Sequence, residues 1–106
     1  MPQYLYRLQV TRPAMLTEGP TDNEAHIVSE HFENLKRLTA EGVLILAGRT
    51  QTTSMDGMGI VIFNAADDDA ARDIMENDPA VQQGVMSAQL FPYRVALIAE
   101  ANVTED

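Results

Sequence analysis

The sequence has no cysteine, few basic residues and no long apolar run. Without cysteine there is no disulfide, and thiolate nucleophiles and thiolate metal ligands are excluded. Seven Lys and Arg stand against sixteen Asp and Glu, giving a net charge of −9. Nucleic acids and anionic membrane surfaces both need a basic patch, so neither is expected as a partner. No apolar stretch approaches the roughly 20 residues that cross a bilayer. The opening MPQYLYRLQV has no basic region followed by an apolar one, so no secretory signal is expected. Together with the missing cysteines, this points to the cytoplasm. There is no internal repeat, low-complexity tract or dividing linker, and 106 residues suit one domain spanning 1–106.

What is present begins with residues 21–49, TDNEAHIVSEHFENLKRLTAEGVLILAGR. Thr21 and Glu24 have capping-box spacing, and Asp22 and Glu24 suit the positive end of a helix dipole. Val28, Phe32, Leu35 and Leu38 recur at steps of four and three, predicting an amphipathic helix with that stripe inward. Gly42 supplies the stop. The apolar run 43–47 then predicts a strand covered on both faces.

Around this unit, Tyr4, Tyr6, Leu8 and Val10 alternate as a strand does. Residues 11–20 carry two prolines and a glycine and predict a loop, whose Arg12, Met15 and Leu16 are placed to cover a pocket mouth. Residues 50–58 predict a hairpin connection and 59–63 a third strand. A second helix follows, capped by Asn64 or Asp67 and turned inward through Ala70, Ala71, Ile74 and Met75. It ends at Asn77-Asp78-Pro79, and a short extra turn over 79–83 stops at Gly84. A last strand runs over 85–90, bends at Phe91-Pro92-Tyr93 and continues over 94–99, and 102–106 is expected to fray.

The order is strand, helix, two strands, helix, strand. This is the ferredoxin-like βαββαβ pattern of an α+β fold, an antiparallel sheet with both helices on one face. The other face then lacks cover, and Tyr4, Tyr6 and the two apolar strands are expected to need it there. A second copy of the chain is the expected cover, giving a homodimer packed sheet to sheet.

His31 falls inside the helix stripe. Two readings are open: a buried helix histidine bonded to a backbone carbonyl, or a general acid and base, since imidazoles exchange protons near neutral pH. A base of that kind needs a carboxylate to fix its tautomer. Asp78 is the best placed, although a short carboxylate before proline is also an ordinary turn former. Arg49, at the end of the apolar strand, and Arg7, on the strand face opposite Tyr4 and Tyr6, are candidates to bind a substrate carboxylate or to make surface ion pairs. His26 is five residues from His31 and is expected in solvent. The two do not make the i, i+4 pair a metal needs, and no other His and acid spacing supports a metal site. Gly57-Met58-Gly59 is too short and too far from a helix start to cradle phosphate, and no cofactor is expected. The Asp67-Asp68-Asp69 run reads as helix-start charge. No nucleophile elbow or Ser-His-acid order is visible.

Several pieces, in order, resemble the YciI-like (YCII-related) family. They are His31 followed eleven residues later by Gly42, LILAGR at 44–49, an alanine-rich helix from Ala65 to Met75, Asp78-Pro79-Ala80-Val81 with Gly84 close behind, and a closing strand with Phe91-Pro92. The resemblance spans about residues 4 to 98. It implies a ferredoxin-like fold, a dimeric α+β barrel, and an active site with a histidine and an aspartate, mapping onto His31 and Asp78. One branch of the family resembles enzymes that remove chloride from chlorinated hydroxyquinols. A longer branch carries Asp-Gly-Pro-Phe, where this chain has Met55-Asp56-Gly57-Met58, and Ala40 stands where some relatives have an acid. The expectation is a small dimeric enzyme of lyase, isomerase or dehalogenase type. His31 and Asp78 would move a proton on a small polar or aromatic metabolite, with Arg49 and Arg7 as substrate-binding residues. The alternatives are a non-catalytic metabolite-binding or sensing module and a structural dimeric accessory protein.

Overall fold

The structure is a computed structural model that describes residues 1–99. The stretch 102–106, expected to fray, lies outside the described residues. The elements run β1 (Gln3–Val10), α1 (Ala14–Thr17), α2 (Asp22–Ala40), β2 (Leu44–Arg49), β3 (Gly59–Asn64), α3 (Asp68–Glu76), α4 (Pro79–Gln82) and β4 (Met86–Tyr93). The four strands form one sheet in the order β2-β3-β1-β4, every pairing antiparallel. That is the ferredoxin-like arrangement, with α2 and α3 packed on one face and α1 and α4 as single added turns.

Local chemistry explains the long helix. Thr21 Oγ1 accepts from the Glu24 amide at 3.1 Å and Glu24 Oε1 accepts from the Thr21 amide at 2.9 Å, completing the capping box. Arg12 adds a fork onto the same carboxylate, with Nε 2.9 Å from Oε2 and Nη2 2.7 Å from Oε1, and Nη2 also donates to Gly19 O. Arg12 therefore straps the 11–20 segment to the start of α2 instead of facing a pocket. At the other end Gly42 takes φ +77°. Its amide donates to Thr39 O at 3.1 Å and the Val43 amide to Leu38 O at 3.0 Å, the paired bonds of a Schellman stop.

The buried stripe of α2 is Ile27, Leu35 and Leu38, with His31 between them. Phe32, expected inward, is 60% exposed, and Lys36 Nζ lies 5.8 Å from its ring centroid. At 100° per residue Phe32 and Ile27 cannot share one narrow stripe, and the sheet takes the face that Ile27 shares with His31.

In β1, Tyr4, Tyr6 and Leu8 are buried, and they face the helices rather than the uncovered side. Their core partners are Leu35 and Leu38 of α2, Val61 and Phe63 of β3, and Ala71 and Met75 of α3. The Tyr6 and Phe63 rings meet edge to face at 5.6 Å. The open sheet face instead carries Leu5, Arg7 and their cross-strand partners Ile62, Ile60, Phe91 and Gln89. The apolar β2 strand is covered on one side only. Leu44 is buried, Leu46 and Ala47 are exposed, and the β2–β3 register shifts through a bulge between Leu44 and Leu46.

Asp67 caps α3 through Oδ1, which accepts from the Ala70 amide at 2.8 Å. β4 continues through Pro92, because an edge strand does not need that residue's missing amide hydrogen. It stops at Tyr93, correcting the expectation of strand over 94–99. Tyr93 pairs with Gln3, the first residue of β1, so no further β1 backbone is available beyond it. Among the described residues after Tyr93, the Val95 amide reaches back, donating to Gln3 Oε1 at 2.8 Å.

Candidate active site

Three elements converge beneath α2. The helix stripe aims His31 at the sheet, leaving its side chain 12% exposed. The turn after α3 delivers Asp78, which N-caps α4, and its side chain is fully buried. Pro79 supplies the preset first helical residue, and the Asp78 carbonyl accepts from the Val81 and Gln82 amides at 2.9 and 2.8 Å. β1, between two neighbours in the sheet, contributes Tyr6 from its helix side.

His31 Nδ1 lies 2.7 Å from Asp78 Oδ1. The same oxygen accepts from the Ala80 amide at 3.0 Å, and Oδ2 accepts from the Tyr6 hydroxyl at 2.7 Å. A carboxylate has no proton to give, so Nδ1 is the donor and the neutral ring carries its proton there. Nε2 then holds the free lone pair, and it makes no hydrogen bond among the described residues. Burying a charge costs several kcal/mol unless it is paired and hydrogen-bonded. Three donors meet that condition here, and no buried polar side-chain atom among the described residues lacks a partner. Burial first, then the charge of Asp78 and the hydrogen bond to it, push the Tyr6 phenol well above its ordinary range, so it stays a donor.

The arrangement pairs an acceptor fixed by its backbone with an imidazole whose tautomer it sets. Chemically, such a ring can take a proton at Nε2 and give it back. Arg7 is not part of this cluster: it lies on the open sheet face and donates to Gln89 Oε1. Arg49, at the end of the edge strand β2, is exposed, and no ion pair or hydrogen bond of its side chain occurs among the described residues. His26 is exposed beside Glu30 at 3.8 Å. No group of three or more His, Cys, Asp or Glu side chains among the described residues is arranged to hold a metal ion. No helix among them is long and apolar enough to cross a membrane.

One surface depression lies between the start of β1 and the end of β4, lined by residues including Gln3, Tyr4, Pro92 and Tyr93. Another lies along the outer side of α2, lined by His26, Glu30, Asn34, Arg37 and Pro79 among others. Neither is lined by His31 or Asp78.

The sequence did not single out Tyr6 or the Ala80 amide as partners of Asp78. The available signal was the alternation of β1. A tyrosine on the helix-facing side must find a partner for its hydroxyl, and Tyr4 does the same with Asp68 Oδ1 at 2.7 Å.

Comparison with known proteins supplies further findings. The profile of the YCII-related domain matches residues 4–93. No curated protein sequence shows significant similarity. Among solved structures, the chain is similar to 5-chloro-2-hydroxyhydroquinone dehydrochlorinase from Burkholderia phenoliruptrix AC1100 in complex with 2,5-dihydroxybenzoquinone. The TM-score is 0.61 at 18% identity, over 86% of this chain and 93% of that one. It is also similar to muconolactone isomerase, with a TM-score of 0.63 at 15% identity, over 98% of this chain and 97% of that one. At these identities the likeness is one of fold.

Proposed function

The chain belongs to the YCII-related family, and we propose that its one domain is a small acid/base enzyme in which His31 moves a proton on a small polar or aromatic molecule. The observation that carries this reading is the His31–Asp78 contact: Nδ1 is committed at 2.7 Å to a fully buried carboxylate, and Nε2 is left uncommitted. In the reaction Nε2 takes a proton from substrate and Asp78 holds the imidazolium in place. The electron pair left on the substrate shifts a double bond or expels a leaving group, and the proton then returns to product or water. Dehydrochlorination and isomerisation, the reactions named for the two structural neighbours, both need such a transfer. This supports a lyase, isomerase or dehalogenase chemistry on hydroxylated rings or lactones. Arg49, exposed at the end of β2, is assigned the role of holding a negative group on the substrate. Arg7 would serve the site only from the far side of the sheet.

The test is an initial-rate screen of chlorinated hydroxyquinols, hydroxyquinones and unsaturated lactones, followed by His31→Gln. Proton transfer by a positioned side chain contributes about 10²–10⁴-fold, and the variant is expected to lose that much while still binding substrate. A loss below about threefold would refute the assignment. Binding of these compounds without turnover in the wild type would favour the sensing alternative.

The same proposal includes a homodimer in the cytoplasm. Leu46, Phe91 and Tyr93 are 45%, 42% and 44% exposed, and they share the open face with half-buried Leu5 and Ile60. Contiguous exposed apolar surface of this kind marks an interaction site, and a second sheet packs about 10 Å away, face to face. Sedimentation equilibrium at micromolar concentration is expected to return twice the chain mass. A monomer mass there would reject the dimer.

A further inference from the structure

We propose that Tyr6 is a positioning residue for His31: its hydroxyl holds Asp78 Oδ2, so that Oδ1 is presented to the imidazole and the carboxylate's charge is shared with a further donor beside His31 and the Ala80 amide. The kinetic part of this inference rests on the proposed proton-transfer function, and its structural part does not.

The geometry is a chain of two side-chain hydrogen bonds, Tyr6 hydroxyl to Oδ2 at 2.7 Å and His31 Nδ1 to Oδ1 at 2.7 Å, on a side chain with no solvent exposure. Three features make Tyr6 more than a satisfied core phenol. It sits on β1, which is hydrogen-bonded on both sides by β3 and β4, so its hydroxyl is a fixed point in the molecule. Its ring is wholly buried and braced edge to face by Phe63. Finally, the carboxylate it grips has backbone support on Oδ1 only, from Ala80. Without Tyr6, nothing in the described residues holds Oδ2. Two donors on one carboxylate compete for its electron density, so a donor on Oδ2 weakens the pull of Oδ1 on the imidazole proton. Partners that sit behind a functional histidine tune its basicity and orientation in this way.

The molecule contains its own control. Tyr4 lies two residues earlier on the same face of β1, packs against the same Phe63, and gives its hydroxyl to another helix-start aspartate, Asp68, at 2.7 Å. Removing the Tyr4 hydroxyl perturbs a comparable tyrosine–aspartate bond and leaves the His31–Asp78 pair untouched.

The experiment is proton and nitrogen NMR of the His31 imidazole in the full chain, observing the Nδ1–H resonance in wild type, Tyr6→Phe and Tyr4→Phe. Tyr6→Phe is expected to move that resonance downfield by more than its linewidth, because the carboxylate charge is then divided between two donors, His31 and the Ala80 amide, instead of three. Tyr4→Phe is expected to leave it in place. In case Tyr6→Phe fails to fold, biosynthetic replacement of tyrosine by 3-fluorotyrosine gives a stronger donor in the folded chain, and the resonance is expected to move upfield. An Nδ1–H resonance that ignores Tyr6→Phe, or ignores fluorination, or moves equally in Tyr4→Phe, would overturn the proposal. With a substrate in hand, Tyr6→Phe is expected to lower kcat by about 10–100-fold with KM held. The NMR shift without any turnover would sink the proposed function and leave the positioning role standing.

Discussion

Replacing Asp78 by alanine removes more from this molecule than its size suggests. The carboxylate caps α4 through the Ala80 amide, and a lost cap costs about 1 kcal/mol. The Tyr6 hydroxyl is left without its acceptor in the core, at about 1–3 kcal/mol. The His31 Nδ1–H loses its acceptor as well, at about 1 kcal/mol, the lower end because the ring keeps some contact with solvent. Against these stands the release of a buried charge, which offsets part of the loss. The losses total about 3–5 kcal/mol before that offset, the usual cost of removing one member of a buried pair, so the expected net is about 2–4 kcal/mol. That is a large part of the roughly 5–15 kcal/mol that holds a domain of this size together. Asp78→Asn keeps one acceptor oxygen at the position of Oδ1, and its amide group can donate to a Tyr6 hydroxyl that turns to accept. It is expected to cost about 1–2 kcal/mol. Urea unfolding followed by far-UV circular dichroism measures both. With a slope of about 1–3 kcal/mol per molar urea, the alanine variant's midpoint should fall by about 0.7 M or more. An alanine variant within about 1 kcal/mol of wild type, or an asparagine variant as unstable as the alanine one, would show that this network does not hold the turn to the sheet.

Two further outcomes can be checked with the same apparatus. Arg12, followed by the Thr21 amide, holds the Glu24 carboxyl down at about 2, against 4.5 for the free group. A carboxyl depressed in the folded state stabilises fully above the unfolded value and loses that contribution as pH falls. Stability should therefore drop between about pH 4.5 and 2, and Glu24→Gln should flatten that part of the pH curve; an unchanged curve would discard the strap. Phe32→Ser is expected to shift stability by no more than about 0.5 kcal/mol and Leu35→Ala to cost about 2–5 kcal/mol, and the reverse ranking in urea titrations would restore Phe32 to the core.

Elements governed by neighbours in the chain were legible in the sequence. The capping box at Thr21 and Glu24 and the stop at Gly42 are interactions over three to five residues, and the structure has both. The ferredoxin-like order followed from alternation and breakers, which are local too. What the sequence left open was decided by contacts between distant elements. Alternation says that Tyr4 and Tyr6 share a face but not which face meets the helices, and they were expected on the wrong one. Val28 and Phe32 fit a helical stripe as well as Ile27 and His31 do, and only the position of the sheet selects between them. Pro92 looked like a bend because strands rarely hold proline, yet at the sheet edge its missing amide hydrogen costs no ladder bond. For the candidate site, His31 was visible from its place in the helix. The contact with Asp78 spans 47 residues and that from Tyr6 spans 72, distances over which periodicity carries no information.

The bulge in β2 and the proline in β4 bear on how the chain behaves when crowded. These two strands are the outer borders of the sheet, where unpaired backbone groups invite another strand to add on. On one border the bulge between Leu44 and Leu46 breaks the regular spacing of those groups. On the other, an incoming strand meets Pro92, which offers no amide hydrogen. An added strand thus meets an irregular border at either end of the sheet.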